Sequence, residues 1–464
     1  MKWNKDRKIH FIGIGGTGMS GLARILLQLG YPVSGSDLAD TVVTQRLRSE
    51  GAIVFKGHKA QNIDSAVDVV VVSTAVKKDN PELIAAKERD LTILHRADLL
   101  AELMKLKKGV AIAGSHGKTT TSALLGLVLK QAQLDPAIVV GGEIRDINGN
   151  ATWGQGDYMA AEADESDASF LKLNPWMAVI TNIEDDHLDH YHSVDAIVKA
   201  FYDFADNVSP EGSLILCNDD QRLREMATAI VNKKVWTYAI HEEGDYRVVN
   251  PSLTAAGSEG EIFFQGQYLG TMKISIPGLH NLSNALAVFV VCHQIGMPVE
   301  RILQGIEAFR GVGRRFQRIG HIRGIEVVDD YAHHPTEVKA TLAAAKQVEP
   351  KRVIAVFQPH RYSRTQAQYQ EFGKAFGDAD VVIINEVYPA GEKAIPGVSA
   401  DLIIKALPKE MQEKVFYGAN AEDMIQHLIR IAKPGDLVLT MGAGNIWSVG
   451  VEYLNRLTGE VSIR

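Results

Sequence analysis

Short aliphatic runs recur along the chain, and between them the apolar residues fall at three- and four-residue spacing. The runs "VDVVVVSTAV" (67–76), "RVIAVFQPH" (352–360), "DVVIINEVYP" (380–389) and "DLVLTMGAGN" (436–445) are too continuously apolar to have a wet face. They predict strands covered on both sides. "RADLLAELMKLKK" (96–108) and "ERILQGIEAFR" (300–310) have helical spacing. Strand and helix patterns alternating in this way predict the α/β class, with mainly parallel sheets sandwiched by helices.

Three times the pattern starts afresh with a strand running into a polar or glycine-rich loop. The first start is "KIHFIGIGGTGMSGLARILLQLGYPVSGSD" (8–37) and the second is "KKGVAIAGSHGKTT" (107–120). The third, "IEVVDDYAHHP" (325–335), follows the glycine–arginine stretch "GVGRRFQRIG" (311–320). Three domains are expected, at 1–108, 109–313 and 314–464. The polar clusters fall at strand ends: Asp37, Ser73, Gly114 to Thr119, Glu162, Asn182 to Asp189, Asp329 to His334, His360 to Arg364 and Gly442 to Asn445. In open parallel sheets that edge is where ligands bind.

The chain has 464 residues, 46% hydrophobic and 23% charged, with a formal net charge of -7. That balance, with no basic tract, argues against nucleic acid as a partner. Cys217 and Cys292 lack metal-ligand spacing and are expected as reduced thiols. No apolar run reaches the ~20 residues of a membrane span, and the basic–apolar N-terminus lacks a cleavage site. A soluble cytoplasmic protein without membrane insertion is expected.

"GIGGTG" places Gly13, Gly15 and Gly18 between a strand and a helix, with Asp37 at the end of the next strand. This is a diphosphate-binding turn in its proper context, and NAD, FAD and UDP-sugars all carry a diphosphate. "GSHGKTTT" (114–121) is a second loop. Its backbone amides from Gly114 to Lys118 can wrap a triphosphate, Lys118 can reach the β- and γ-oxygens, and Thr119 can ligate Mg²⁺. The usual phosphate-loop spacing asks for a glycine where this chain has Ile112.

Two acidic segments follow strands. "YMAAEADESDASF" (158–170) carries Glu162, Asp164, Glu165 and Asp167, and "VITNIEDDHLDHY" (179–191) carries Glu184, Asp185, Asp186, His187 and Asp189. Carboxylates crowded at a sheet edge repel one another unless a cation sits among them, although a solvated acidic turn is also consistent. His187 suits metal ligation or a phosphate contact. In the last third, Arg314 and Arg315 precede Asp329, Asp330, Tyr331, His333 and His334, and "QPHRYSRT" adds His360, Arg361 and Arg364. Arginines can neutralise a transferring phosphoryl group, and the later basic patch suits a small carboxylate. A triphosphate loop, a diphosphate loop and a carboxylate site together suggest ATP joined to two further substrates.

With "HNLSNALA" (280–287), these segments resemble, in order along the whole chain, the Mur ligase family of peptidoglycan synthesis. The resemblance implies an N-terminal Rossmann-like domain for a UDP-sugar, a central P-loop domain with a mixed or parallel sheet for ATP, and a C-terminal Rossmann-like domain for an amino acid. It implies ATP and Mg²⁺, with UDP-N-acetylmuramate and L-alanine as small-molecule partners, in a monomer or weak homodimer. Gly13, Gly15, Gly16, Gly18, Asp37 and Ser73 would surround the UDP-sugar. Gly114, Ser115, His116, Gly117, Lys118, Thr119, Thr120, His280, Asn281, Asn284, Arg315 and Asp330 would surround ATP. Thr119, Glu162 and His187 would hold metal, and Tyr331, His333, Arg361 and Arg364 would form the amino-acid pocket. Lys118, His187, Arg315 and His333 would be catalytic. Sibling ligases carry a carbamylated lysine after the acid–histidine loop; here Phe201 stands at that place, with Lys199 nearby.

Overall fold

The computed structural model describes residues 4–459. Three sheets form; the first two open where the hydropathy pattern restarts, and the third opens one strand before its restart, at Gln317. The first contains β1 (Lys8–Ile12), β2 (Val33–Asp37), β3 (Ile53–Lys56), β4 (Val67–Val72) and β5 (Thr92–His95), in the order β3-β2-β1-β4-β5. Its neighbouring strands pair in parallel, and the strand order reverses at β1. The first glycine loop leaves the carboxyl end of that central strand, where a doubly wound sheet opens a crevice.

The second sheet contains β6 (Lys108–Ala113), β7 (Ala137–Ile144), β8 (Gly149–Thr152), β9 (Tyr158–Glu162), β10 (Met177–Ile180), β11 (Ser213–Cys217), β12 (Val235–Ala239), β13 (Tyr246–Thr254), β14 (Gly257–Phe264) and β15 (Gln267–Ile274). Its order is β15-β14-β13-β12-β11-β10-β6-β9-β7-β8. β6 lies between β10 and β9 and pairs in parallel with both, and Val110 to Ala113 are fully buried. The sheet is mixed, because β7 and β8 pair antiparallel.

The third sheet contains β16 (Gln317–Ile322), β17 (Ile325–Asp330), β18 (Arg352–Phe357), β19 (Val381–Asn385), β20 (Val415–Gly418) and β21 (Asp436–Met441), in the order β16-β17-β21-β18-β19-β20. β18 shows why its sequence is continuously apolar. Val353, Ala355 and Phe357 pack into one hydrophobic cluster and Ile354 and Val356 into another, one on each face. β16, an antiparallel edge strand on β17, is the exception to the parallel rule in this sheet.

The chain forms two compact units. One runs through Val249 and adds Glu261–Met272 and Ser283–Phe309; the other comprises Asn250–Gly260, Lys273–Leu282 and the chain from Arg310 onward. Within the first unit, the β7–β8 hairpin clasps the helix Thr17–Gln28 that follows the first glycine loop. Arg24 Nη1 donates to the carbonyls of Ile147, Asn148 and Ala151 at 3.0, 2.9 and 3.2 Å. Asn150 donates to Thr17 O at 2.5 Å, and the Trp153 amide donates to Gln28 Oε1 at 2.6 Å. No helix among the described residues is long and apolar enough to cross a membrane.

Candidate active site

The first loop is drawn tight against the end of β2. The Gly13 and Ile14 amides donate to Ser36 O at 2.8 and 2.9 Å, and the Gly15 amide donates to Asp37 Oδ2 at 2.9 Å. A Cβ on Gly15 would lie 2.8 Å from that same oxygen, so a side chain here would push the Asp37 carboxylate off its amide. Gly16 caps the helix Thr17–Gln28, with Gly18 in its first turn. The unpaired amides of that turn give the helix end its attraction for anions. Ser73 follows β4 and its carbonyl accepts the Val76 amide.

The second loop turns between β6 and the helix Lys118–Gln131, and the end of β10 holds it. The Ser115 amide donates to Asn182 O at 3.1 Å and the His116 amide to Asn182 Oδ1 at 2.8 Å. Thr181 Oγ1 donates to His116 O at 2.6 Å, and Ser115 Oγ accepts the Glu184 amide at 2.8 Å. Gly114 is in a left-handed conformation (φ 132°), and a Cβ there would come within 2.1 Å of Thr181 Oγ1. The chain can pass so close to β10 only with no side chain. Ile112 lies inside β6, fully buried, so the glycine missing from the usual spacing would have fallen in the strand rather than the turn.

Lys118 folds back over its own loop. Its Nζ donates to Gly114 O at 2.5 Å, Ser115 O at 3.0 Å and Glu165 Oε1 at 2.7 Å. Burial opposes the charged ammonium, but Glu165, Glu162 and Asp164 outweigh it, and the pKa is raised. One residue on, Thr119 Oγ1 donates to Glu162 Oε1 at 3.1 Å, while Glu162 Oε2 accepts the Gly141 amide at 2.7 Å. Thr120 is buried in the same turn, and Asn284 packs on Gly117, where a Cβ would meet its Oδ1 at 2.6 Å. His187 lies on the other side of Glu165, its Nε2 3.5 Å from Glu165 Oε1 and 3.6 Å from Asp186 Oδ2. Glu165 is 2% exposed and its Oε2 has no hydrogen-bond partner. Glu165 Oε2 is a buried anionic oxygen without a donor, with the His187 imidazole close to its partner oxygen and the Thr119–Glu162 pair one residue past Lys118; these side chains are of the kinds a hard divalent cation takes.

Lys199 is not among these groups. Its Nζ pairs with Asp203 Oδ2 at 2.7 Å on an exposed helix face, and Phe201 is buried against Phe170 with ring centroids 5.3 Å apart. The side chain of Asp189 lies outside the described residues.

Sequence reading passed over Arg96. It begins the helix Arg96–Met104 at the end of β5, and its Nη2 reaches Asp164 Oδ2 at 2.5 Å. Its Cδ and Nη1 lie 3.5 Å from where a Cβ of Gly18 would be. Its position at a strand end, ahead of a helix, was the available signal.

In the second unit Tyr331 is flanked by two guanidinium groups, Arg314 at 4.9 Å and Arg315 at 5.2 Å from its ring centroid. Arg314 is committed to Asp329 Oδ2 at 3.1 Å and Gly442 O at 2.6 Å. Asp330 accepts the Phe316 amide at 2.7 Å and the Ala332 amide at 2.8 Å, pinning the arginine segment to the end of β17. Burial pushes its pKa up to about 6, against the pull of Arg315 and the two amides. His333 Nδ1 lies 3.0 Å from Tyr331 O and 3.2 Å from Glu337 Oε2. Both oxygens can only accept, apart from a protonated Glu337, so Nδ1 carries the hydrogen and neutral His333 keeps its lone pair on Nε2. The His333 ring packs edge-on to His360, which stacks on Tyr388. Arg361, next to His360, donates its amide to Tyr388 O at 2.8 Å, and Arg364 lies one turn into the following helix. His280 is exposed, whereas Asn281 is buried and donates Nδ2 to Pro277 O at 2.6 Å.

Comparison with known proteins gives three family matches. The Mur ligase family catalytic domain matches residues 8–108, the Mur ligase middle domain 112–292, and the Mur ligase glutamate ligase domain 314–444. A Pelotomaculum thermopropionicum protein named UDP-N-acetylmuramate–L-alanine ligase is 50% identical over 98% of each chain. The crystal structure of a UDP-N-acetylmuramate–alanine ligase from Thermotoga maritima superposes with a TM-score of 0.84 at 30% identity, covering 97% of this chain and 99% of that one. A murein peptide ligase from Psychrobacter arcticus gives 0.72 at 26% identity, covering 98% and 100%.

Proposed function

The chain belongs to the Mur ligase family, and from that premise we propose that it joins UDP-N-acetylmuramate to L-alanine at the expense of ATP. In this reading the lactyl carboxylate of the sugar attacks the γ-phosphorus, releasing ADP and leaving an acyl phosphate. The alanine amine attacks the acyl carbon, and the tetrahedral adduct expels phosphate to leave the amide. The observation that carries the reading is the pair of contacts at the second loop, Lys118 to Glu165 and Thr119 to Glu162. They lie in a chain half identical, end to end, to a ligase of that name.

The residues divide the work by chemistry. Gly13, Gly15, Gly16 and Gly18 present amides to the UDP diphosphate, with Asp37 and Ser73 at neighbouring strand ends. Gly114 to Thr120, with Asn284 on Gly117, cradle the ATP phosphates, and Lys118 exchanges its carboxylate and carbonyl partners for phosphate oxygens. His280, Asn281, Arg315 and Asp330 complete the ATP contacts. Mg²⁺ at Thr119, Glu162 and His187 would screen the negative charge that keeps a carboxylate from approaching a triphosphate. Tyr331, Arg361 and Arg364 hold L-alanine by its carboxylate, and His333 Nε2 takes the proton that the ammonium must lose before it can attack. Three domains, 1–108, 109–313 and 314–464, would each bring one substrate; the three matched ranges support that division.

A coupled phosphate-release assay tests this, with UDP-N-acetylmuramate fixed and the amine partner varied. Phosphate release with L-alanine is expected. Release with a preformed tripeptide instead would make the chain a murein peptide ligase, and NADH turnover without ATP consumption would overturn the ligase reading.

A further inference from the structure

The acidic segment after β9 does more than face the ATP loop. Asp164 and Glu165 are adjacent, and each holds a cation next to a different phosphate loop: Asp164 holds Arg96 at 2.5 Å beside Gly18, and Glu165 holds Lys118 at 2.7 Å. Lys118 is part of the triphosphate loop. Arg96 has no part in that loop, and nothing in the reaction as described above uses it.

Its position argues for a use. The guanidinium lies against the first turn of the helix Thr17–Gln28, whose amides face the diphosphate in the proposed reading, and the Arg96 side chain remains 20% exposed. A guanidinium beside a helix N-terminus adds a full charge to a dipole that already favours anions. Arg96 packs close to Gly18: a Cβ there would touch its Cδ and Nη1 at an ordinary contact distance of 3.5 Å. Asp164 is also tied down, its Oδ1 accepting the Ser166 amide at 3.1 Å and its carbonyl the Phe170 amide at 3.0 Å. The mobile partner of the pair is therefore the long arginine.

We infer that Arg96 is a binding residue for the diphosphate-bearing substrate, kept in place by Asp164 and turned to the diphosphate when that substrate occupies the Gly13–Gly18 loop. The inference rests on the UDP-sugar reading above. It assigns opposite signs to the two partners. Loss of Arg96 removes a charge-assisted contact, whereas loss of the Asp164 charge removes a competitor for it.

The test is equilibrium binding of UDP-N-acetylmuramate, and separately of ATP, by calorimetry without Mg²⁺. The proteins are the full-length wild type, Arg96→Gln, Arg96→Lys and Asp164→Asn. Arg96→Gln is expected to weaken UDP-sugar binding about 10- to 100-fold, with ATP binding changed less than about threefold. Arg96→Lys should recover part of the loss, since it keeps the charge without the fork. Asp164→Asn should bind the UDP-sugar as tightly as wild type or tighter. Unchanged UDP-sugar binding in Arg96→Gln, or parallel weakening of both ligands in Arg96→Gln and Asp164→Asn, overturns the inference and leaves the pair a structural clip. Should Arg96→Gln fail to fold, Arg96→Lys and Asp164→Asn still give the opposed signs. A wild type that does not bind UDP-N-acetylmuramate defeats the substrate reading itself, a different outcome from a wild type and Arg96→Gln that bind it equally.

Discussion

The two glycine loops of the first unit leave their sheets alike, each from the carboxyl end of a central strand into a helix, yet they are closed by opposite charges. At Gly13 to Gly18 a carboxylate, Asp37, accepts the amide of Gly15. At Gly114 to Lys118 an ammonium is donated to the loop's own carbonyls and on to Glu165. The first loop presents donors and borrows an anion to satisfy one of them. The second carries its own cation and borrows an anion to balance it. On the proposed reading a diphosphate meets the amides of the first loop with no cation of the loop's own, whereas a triphosphate at the second takes over the lysine. The first loop is thus suited to binding alone, and the second to stabilising charge that moves during a reaction.

Substituting Lys118 breaks the comparison most severely. Lys118→Ala is expected to lower kcat by about a thousandfold or more while UDP-N-acetylmuramate binding stays within about threefold. Steady-state phosphate release and calorimetry on the same protein check both halves; loss of UDP-sugar binding in a folded variant would mean the loops do not act separately. Next come the glycines. Gly114→Ala must accept both a left-handed backbone and a Cβ 2.1 Å from Thr181 Oγ1, at about 2–4 kcal/mol of stability. Gly15→Ala meets the movable end of Asp37 and the Thr44 methyl at 3.1 Å, and should cost less than about 1.5 kcal/mol, with its main effect on UDP-sugar binding. Urea unfolding of the two variants measures the difference, and equal costs would show that the loops are constrained alike.

Asp37→Ala sharpens the contrast further. It is expected to weaken UDP-sugar binding about tenfold and leave ATP binding unchanged, which titration of each ligand reads directly. The smallest effect is expected at Lys199, whose exposed i,i+4 pair with Asp203 contributes about 0.5 kcal/mol at most. Lys199→Ala should keep kcat within about twofold, and bicarbonate should not alter its activity. A marked bicarbonate response abolished by the substitution would restore Lys199 to the metal site.

The local features were legible in the sequence and the distant pairings were not. "GVAIAGSHGKTTT" could be read directly as strand, turn and helix, because burial of Val110 to Ala113 and the turn chemistry of Gly114 and Gly117 are encoded side by side. The family resemblance likewise rested on contiguous words. Arg96 and Asp164 stand 68 positions apart, and neither has a motif that names the other. The strands β13 to β15 were missed for a different reason. "YRVVNPSLT" and "QYLGTMKI" are largely exposed at their outer ends, so their apolar content is too thin to show a period. The edge strand β16 is also polar, and it is recognisable only through the strand it pairs with. For Asp330, sequence gave the position; the two amides that occupy its carboxylate come from Phe316 and Ala332, and only the folded chain brings them there.

The clasp between the β7–β8 hairpin and the helix Thr17–Gln28 bears on how this chain tolerates change. Arg24 reads three carbonyl oxygens, and Gln28 reads a backbone amide. A contact made to main chain is indifferent to the side chains carried there, so most residues of the 147–153 ribbon can drift while the docking persists. The burden of constancy falls mainly on the helix; on the hairpin it falls on Asn150, whose side chain donates to Thr17 O. A chimera that imports residues 1–108 from a relative should assemble when the imported helix brings an arginine and a glutamine at these two positions, however different the rest of the hairpin that presents Asn150 to it.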